Sequence, residues 1–118
     1  MRFLGLTLVT IVAVQHFIFM YLEMYLWTQP TGLKVFRNTF EKAQTTAVLA
    51  ANQGLYNGFL GAGLLWGLFQ SNEAFAYQIK MFFLVCVIIA GFYGAYSVSR
   101  RIFFIQALPA ILAVIALL

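Results

Sequence analysis

Four stretches of this chain, residues 3–27, 45–69, 75–98 and 102–118, are long and apolar enough for each to cross a bilayer as a helix, which takes about 20 residues at about 1.5 Å of rise per residue. In hydrocarbon no water satisfies the backbone, so every N–H and C=O must find its partner inside the protein, and a helix provides those partners within one segment. A spanning barrel would need about eight or more strands of alternating polarity. The run FFLVCVIIAG at residues 82–91 does not alternate. Only 8% of residues are charged, against about 25% in a soluble domain, so lipid is the expected solvent for most of the exterior. The expected fold is an all-α membrane protein: one domain over residues 1–118, built as an antiparallel bundle of four transmembrane helices.

The connections at residues 70–73 and 99–101 are short enough to force antiparallel neighbours. The connection at 28–44 is longer and opens with a turn signal at Pro30, Thr31 and Gly32. Leu33, Phe36 and Phe40 then recur at helical spacing, opposite Lys34, Arg37, Asn38, Glu41 and Lys42. This pattern predicts a short amphipathic helix in the headgroup region, between the first and second spans. With four spans, the first and third connections share one side of the membrane and both termini share the other. Lys34, Arg37, Lys42, Arg100 and Arg101 fall on the first side, and Arg2 and Lys80 on the second. The positive-inside rule therefore puts those two connections in the cytoplasm and both termini outside, in a bacterial inner membrane.

The net charge of +4 is thus accounted for by orientation. Beyond the pair Arg100 and Arg101 it forms no basic face, so no nucleic-acid partner is expected. Arg2 followed by an apolar run has the look of a signal peptide, but Gln15 and His16 interrupt the run and no small-x-small cleavage site follows, so it reads as a retained helix. Cys86, the one cysteine, stands among Phe, Leu, Val and Ile and reads as a buried thiol.

Polar residues gather in the first two spans. His16, Glu23 and Trp27, at intervals of seven and four, share one stripe of a helix. Ionisable side chains in a span face a bundle interior or a wet cavity, because a charge near the bilayer centre costs about 2.5–3.5 kcal/mol on insertion scales. Burial penalises the charged form of a lone acid, the condition that acid–base or proton-coupled chemistry uses. Residues 52–60, NQGLYNGFL, interleave two features. Ala50, Gly54, Gly58 and Ala62 make a small-residue edge, while Asn52 with Tyr56 and Gln53 with Asn57 make two polar ridges at spacing four. Antiparallel pairing is expected to set Glu23 level with Asn52 and Gln53, and His16 level with Asn57, either as a site or as hydrogen-bonded internal glue.

The later spans add Tyr93, Tyr96 and Ser97, then Gln106 and Pro109. Pro109 removes a backbone bond, which predicts a kink that leaves the carbonyl of Ile105 unpaired. The tyrosines also suit an interfacial aromatic belt. The half of the membrane bearing the termini offers little polar lining beyond Thr7, Thr10 and Gln78. There is no nucleophile motif, no phosphate-cradling glycine loop, no paired metal ligands and no aspartate, so neither a metal nor a cofactor is expected, and catalysis is left open.

The runs HFIFMYLEMYLW, NQGLYNGFLGAGLLWG, GFYGAY and FIQALPAIL together resemble the domain of unknown function 1304 family of small bacterial membrane proteins. The resemblance covers nearly the whole chain. It implies a four-helix membrane protein whose pattern is matched by His16, Glu23, Trp27, Asn52, Gln53, Tyr56 and Asn57, and it implies no activity.

The expected site is therefore a cytoplasm-facing intramembrane pocket for an amphipathic or lipid-like small molecule. It is lined by His16, Glu23, Trp27, Asn52, Gln53, Tyr56, Asn57, Tyr93 and Gln106, with Glu23 and His16 as the groups able to move a proton. The alternatives are a proton-coupled small-molecule transporter using Glu23 and a structural subunit of a membrane complex with no ligand site. The small-residue edges on the second span and at Ala90, Gly91, Gly94 and Ala95 point to a homo-oligomer.

Overall fold

The computed structural model describes residues 2–118, and these are all-helical. The elements are α1 (Arg2–Tyr25), α2 (Pro30–Val35), α3 (Phe40–Phe69), α4 (Glu73–Ser97), α5 (Arg100–Ile102), a π-helical segment (Phe103–Ala107) and α6 (Leu108–Leu117). Among the described residues, three helices are long and apolar enough to cross a membrane: α1, α4 and the continuous run Arg100–Leu117. At 30 residues α3 is the longest helix, but it carries Asn52, Gln53 and Asn57 and is not one of the three. The chain forms two compact units, Met1–Val14 with Leu60–Leu118 and Gln15–Phe59. Both α1 and α3 contribute to each.

The core of the first unit takes Val9, Val12 and Ala13 from α1, Leu64 from α3, Leu84 and Val87 from α4, and Ala110 and Ala113 from α6, all fully buried. Large apolar side chains such as Phe82, Ile89 and Ile115 point outward, as an exterior dissolved in hydrocarbon requires. Where helices meet, small residues let the backbones approach. A Cβ on Gly91 would lie 2.8 Å from the backbone N of Ala107 and 3.0 Å from its Cα, and one on Gly94 would meet Ile102 Cγ2 at 2.8 Å. These glycines, expected at an interface between copies, thus lie against the chain's own last helix.

Capping explains where this unit's helices begin. Asn72 caps α4 by accepting the Phe75 N–H at 2.9 Å, so the helix opens at Glu73 and places an acid in the first turn. Replacing Asn72 with alanine should cost about 1 kcal/mol of stability, measurable by unfolding the solubilised protein in denaturant. Ser99 caps the next helix by accepting from Arg101 N–H at 3.3 Å. Just before Pro109, where a kink is expected, the chain forms the π-helical segment Phe103–Ala107. There the Leu108 N–H reaches back to the Phe103 carbonyl, and Ile105 has an interaction partner. The wider turn redistributes backbone bonds around a ring that cannot donate one.

In the second unit α1 ends at Tyr25 and the chain turns, with Gln29 N–H bonded to the Leu26 carbonyl at 3.1 Å. Gln29 is extended (φ −86°, ψ 159°), as the residue before a proline prefers, and Pro30 opens α2. The Pro30-Thr31-Gly32 signal therefore starts a helix instead of making a turn. The predicted amphipathic helix through Phe40 is cut short at Val35. Arg37 adopts a left-handed conformation (φ 52°), its N–H bonds Lys34 O at 3.3 Å, and Asn38 N–H bonds Leu33 O at 2.9 Å, a paired closure of a helix C-terminus. Thr39 then caps α3 by accepting from Lys42 N–H at 3.3 Å. Leu33 and Phe40 consequently belong to different helices.

Candidate functional site

Glu23 lies on α1 with 4% of its surface exposed. Both of its carboxyl oxygens accept from α3: Gln53 Nε2 donates to Oε2 at 2.7 Å and Asn57 Nδ2 to Oε1 at 2.5 Å. The four-residue spacing explains the clamp, since side chains one turn apart stand on one stripe and can straddle a group between them. Glycine supplies the closeness. A Cβ on Gly54 would lie 3.0 Å from Glu23 Cβ and 3.1 Å from the Met20 carbonyl oxygen, so the small-residue edge and the amide ridge serve the same contact. Gln53 is itself an exposed residue, and its bond to the carboxyl is only partly buried.

The two-layer arrangement expected from sequence is thus replaced by one layer. Asn57 pairs with Glu23 and not with His16, because α3 meets α1 in a register that sets residues 53 and 57 on either side of residue 23. His16 is fully buried, with its ring against the edge of Phe19 at 5.3 Å between centroids. The Asn52–Tyr56 ridge does not join the cluster. It lies about 100° around the helix from its neighbour. Asn52 Nδ2 bonds back to the Val48 carbonyl at 2.9 Å, and Tyr56 is 59% exposed against Phe59.

Trp27 lies beyond the end of α1, off the stripe predicted for it, because the helix stops before the turn into Pro30. Its Nε1–H donates to Thr46 Oγ1 at 3.1 Å and its ring sits 4.9 Å from that of Phe36, so it ties the first connection to α3. Tyr93, 68% exposed, and Gln106, half-buried in the π-helical segment, belong to the other unit. Among the described residues no group of three His, Cys, Asp or Glu side chains is placed to hold a metal ion.

A second polar feature, in the first unit, was not anticipated from the sequence. A cleft of about 510 Å³ is lined by Arg2, Gln70, Glu73, Tyr77, Lys80 and Leu117, among others. Arg2 Nη2 pairs with Glu73 Oε1 at 3.3 Å, while Lys80 is only 9% exposed. Thr7 and Thr10, the polar lining expected in this part of the chain, bond back to the carbonyls of Phe3 and Leu6 on their own helix. The one sequence signal for the cleft was a lysine inside an apolar span.

The family described as "Protein of unknown function (DUF1304)" matches residues 10–118. The chain is also similar to "Uncharacterized protein YpaA" of Lactococcus lactis subsp. lactis (strain IL1403), at 33% identity over 118 residues and 98% of each chain. No solved structure matches it.

Proposed function

Because the chain belongs to the DUF1304 family, whose description carries no activity, we propose a function from its own residues: it is an integral membrane protein that binds the polar head of an amphipathic or lipid-like small molecule at Glu23, Gln53 and Asn57. The observation that carries this reading is a buried acid clamped at both oxygens by amides, one of them from an exposed residue. A hydrogen-bonding or cationic head can exchange with the Gln53 amide at the carboxyl, while the exposed apolar exterior of α1 and α3 accommodates a tail.

The proposal includes α3 as a fourth span, making one four-helix membrane domain. What supports it is that α3 lies against α1 at Gly54 and Gly58 and contributes Leu64 to the same core as α1, α4 and α6. Its amides lower its hydropathy, yet two of the four, Gln53 and Asn57, are turned onto Glu23. The charge distribution favours a bacterial inner-membrane location with both termini outside. The exposed polar ridge of Asn52 and Tyr56 favours a second copy of the chain as a partner, since hydrocarbon solvates neither group.

The test is retention of amphiphiles by the purified protein, read by native mass spectrometry. Glu23→Gln and Asn57→Ala are expected to lower retention by about tenfold, the worth of one good hydrogen bond to a charged group. If every bound or screened amphiphile is held equally by these variants, the proposal fails. One observation favours a purely structural role: both oxygens already have partners within the chain. Under that reading the variants change stability and leave retention untouched. Substrate-driven proton flux in proteoliposomes, lost in Glu23→Gln, would instead favour proton-coupled transport.

A further inference from the structure

We infer that the cleft of Arg2, Glu73 and Lys80 is a binding site for a phosphate-type anion, separate in its residues from the Glu23 cluster. Three observations carry this. First, Lys80 is nine-tenths buried and lines the cleft, yet among the described residues no acceptor lies within hydrogen-bond or ion-pair distance of its ammonium. Its charged neighbours are Arg2 and Glu73, and Glu73 is already paired with Arg2. Most of the lysine is covered while its ammonium, which is not among the fully buried unpartnered atoms, stays open to the cleft, where an incoming anion can reach it.

Second, the lysine is held in place. Its stem lies over Gly67 on α3, where an added Cβ would come within 2.5 Å of Lys80 Cγ and 3.2 Å of the Lys80 backbone N. The absent side chain at residue 67 is what lets the lysine lie there. Third, the side chains of the cleft set two positive charges against one negative. Arg2 offers a planar donor fork suited to phosphate oxygens and Lys80 offers a compact charge. Leu6, Ala76 and Leu117 form an apolar wall beside them. This combination fits a phosphate monoester or diester, supplied by an anionic phospholipid headgroup or by free phosphate. Both sources present the same oxygens to Arg2 and Lys80.

The experiment uses the full chain in an uncharged detergent and measures binding of three probes by calorimetry: inorganic phosphate, short-chain phosphatidylglycerol and short-chain phosphatidylcholine. Phosphatidylglycerol is expected to bind more tightly than phosphatidylcholine. Lys80→Gln should weaken binding by about tenfold or more, Lys80→Arg should largely restore it, and Glu73→Gln should strengthen it by removing the competing carboxylate. Phosphate that binds and displaces the lipid identifies the free anion as sufficient, whereas lipid binding that phosphate does not compete identifies the headgroup in its lipid context. Absence of binding by both anionic probes overturns the inference. So does Lys80-independent binding in a variant whose helix content and elution volume match the parent, as would occur if Lys80 only stretches toward the interface. Should Lys80→Gln fail to fold, Glu73→Gln carries the test, and unchanged or weaker binding in that variant overturns it.

Discussion

Glu23→Ala is expected to lower the unfolding stability of the solubilised protein by about 2–4 kcal/mol, whereas Glu23→Gln should cost about 1 kcal/mol or less. Truncation strands two amide donors at once, Gln53 Nε2 and Asn57 Nδ2. The half-buried Asn57 contributes more to the loss than the exposed Gln53, because the penalty for an unmade hydrogen bond scales with how completely water is excluded. Glutamine keeps the volume and one acceptor oxygen, and a neighbouring amide can turn over to present its own carbonyl to the new NH2. A denaturant titration followed by helical circular dichroism measures both. Equal losses for the two variants would show that the charge, and not the hydrogen-bonded set, is what α3 is built around.

Gly91→Leu is expected to be comparably disruptive, at about 3 kcal/mol, with Gly91→Ala at about 1–2 kcal/mol. The atoms a Cβ would meet there are the backbone N and Cα of Ala107 together with its Cβ, which no rotamer change can move aside. At Gly58 the only near atoms are Met20 Sδ at 2.6 Å and Cγ at 3.6 Å, the outer part of a flexible side chain, so alanine should be better tolerated there. The same titration separates the two sites. A neutral Gly91→Ala would mean that α4 and the last helix stand further apart than the structure places them.

What could be read from the sequence and what could not divide along physical lines. Apolar length alone located α1, α4 and the last helix, because crossing hydrocarbon demands it. The boundaries were off by up to five residues, most visibly at Phe40, because Thr39, Asn72 and Ser99 start helices through single side-chain hydrogen bonds that a hydropathy argument does not weigh. Spacing four correctly tied Gln53 to Asn57. The partner of Asn57 could not be read, since it depends on the path of residues 26–39. Each residue of shift there slides α3 about 1.5 Å along α1, and the brevity of α2 and the left-handed Arg37 fix the result. The Arg2–Lys80 cleft had a different obstacle. Its residues come from both ends and the middle of the chain, and Lys80 had a ready explanation as an orienting charge.

The π-helical segment before Pro109 also acts as a phase setter. Ala107, Ala110, Ala113 and Ala116 form a buried row at intervals of three, while Leu112 and Ile115 stay outside. One residue more than an α-turn needs advances everything downstream by about 100°, and this advance aims the alanine row at its neighbours. Deleting a single residue from 103–106 would remove the bulge and keep that row in phase, whereas a straight α-helix through the same residues would swing it about 100° off the contact. Bulky side chains would then arrive where the helices now nearly touch, so the length of this one turn works as a combination that must be dialled correctly before the last helix can dock.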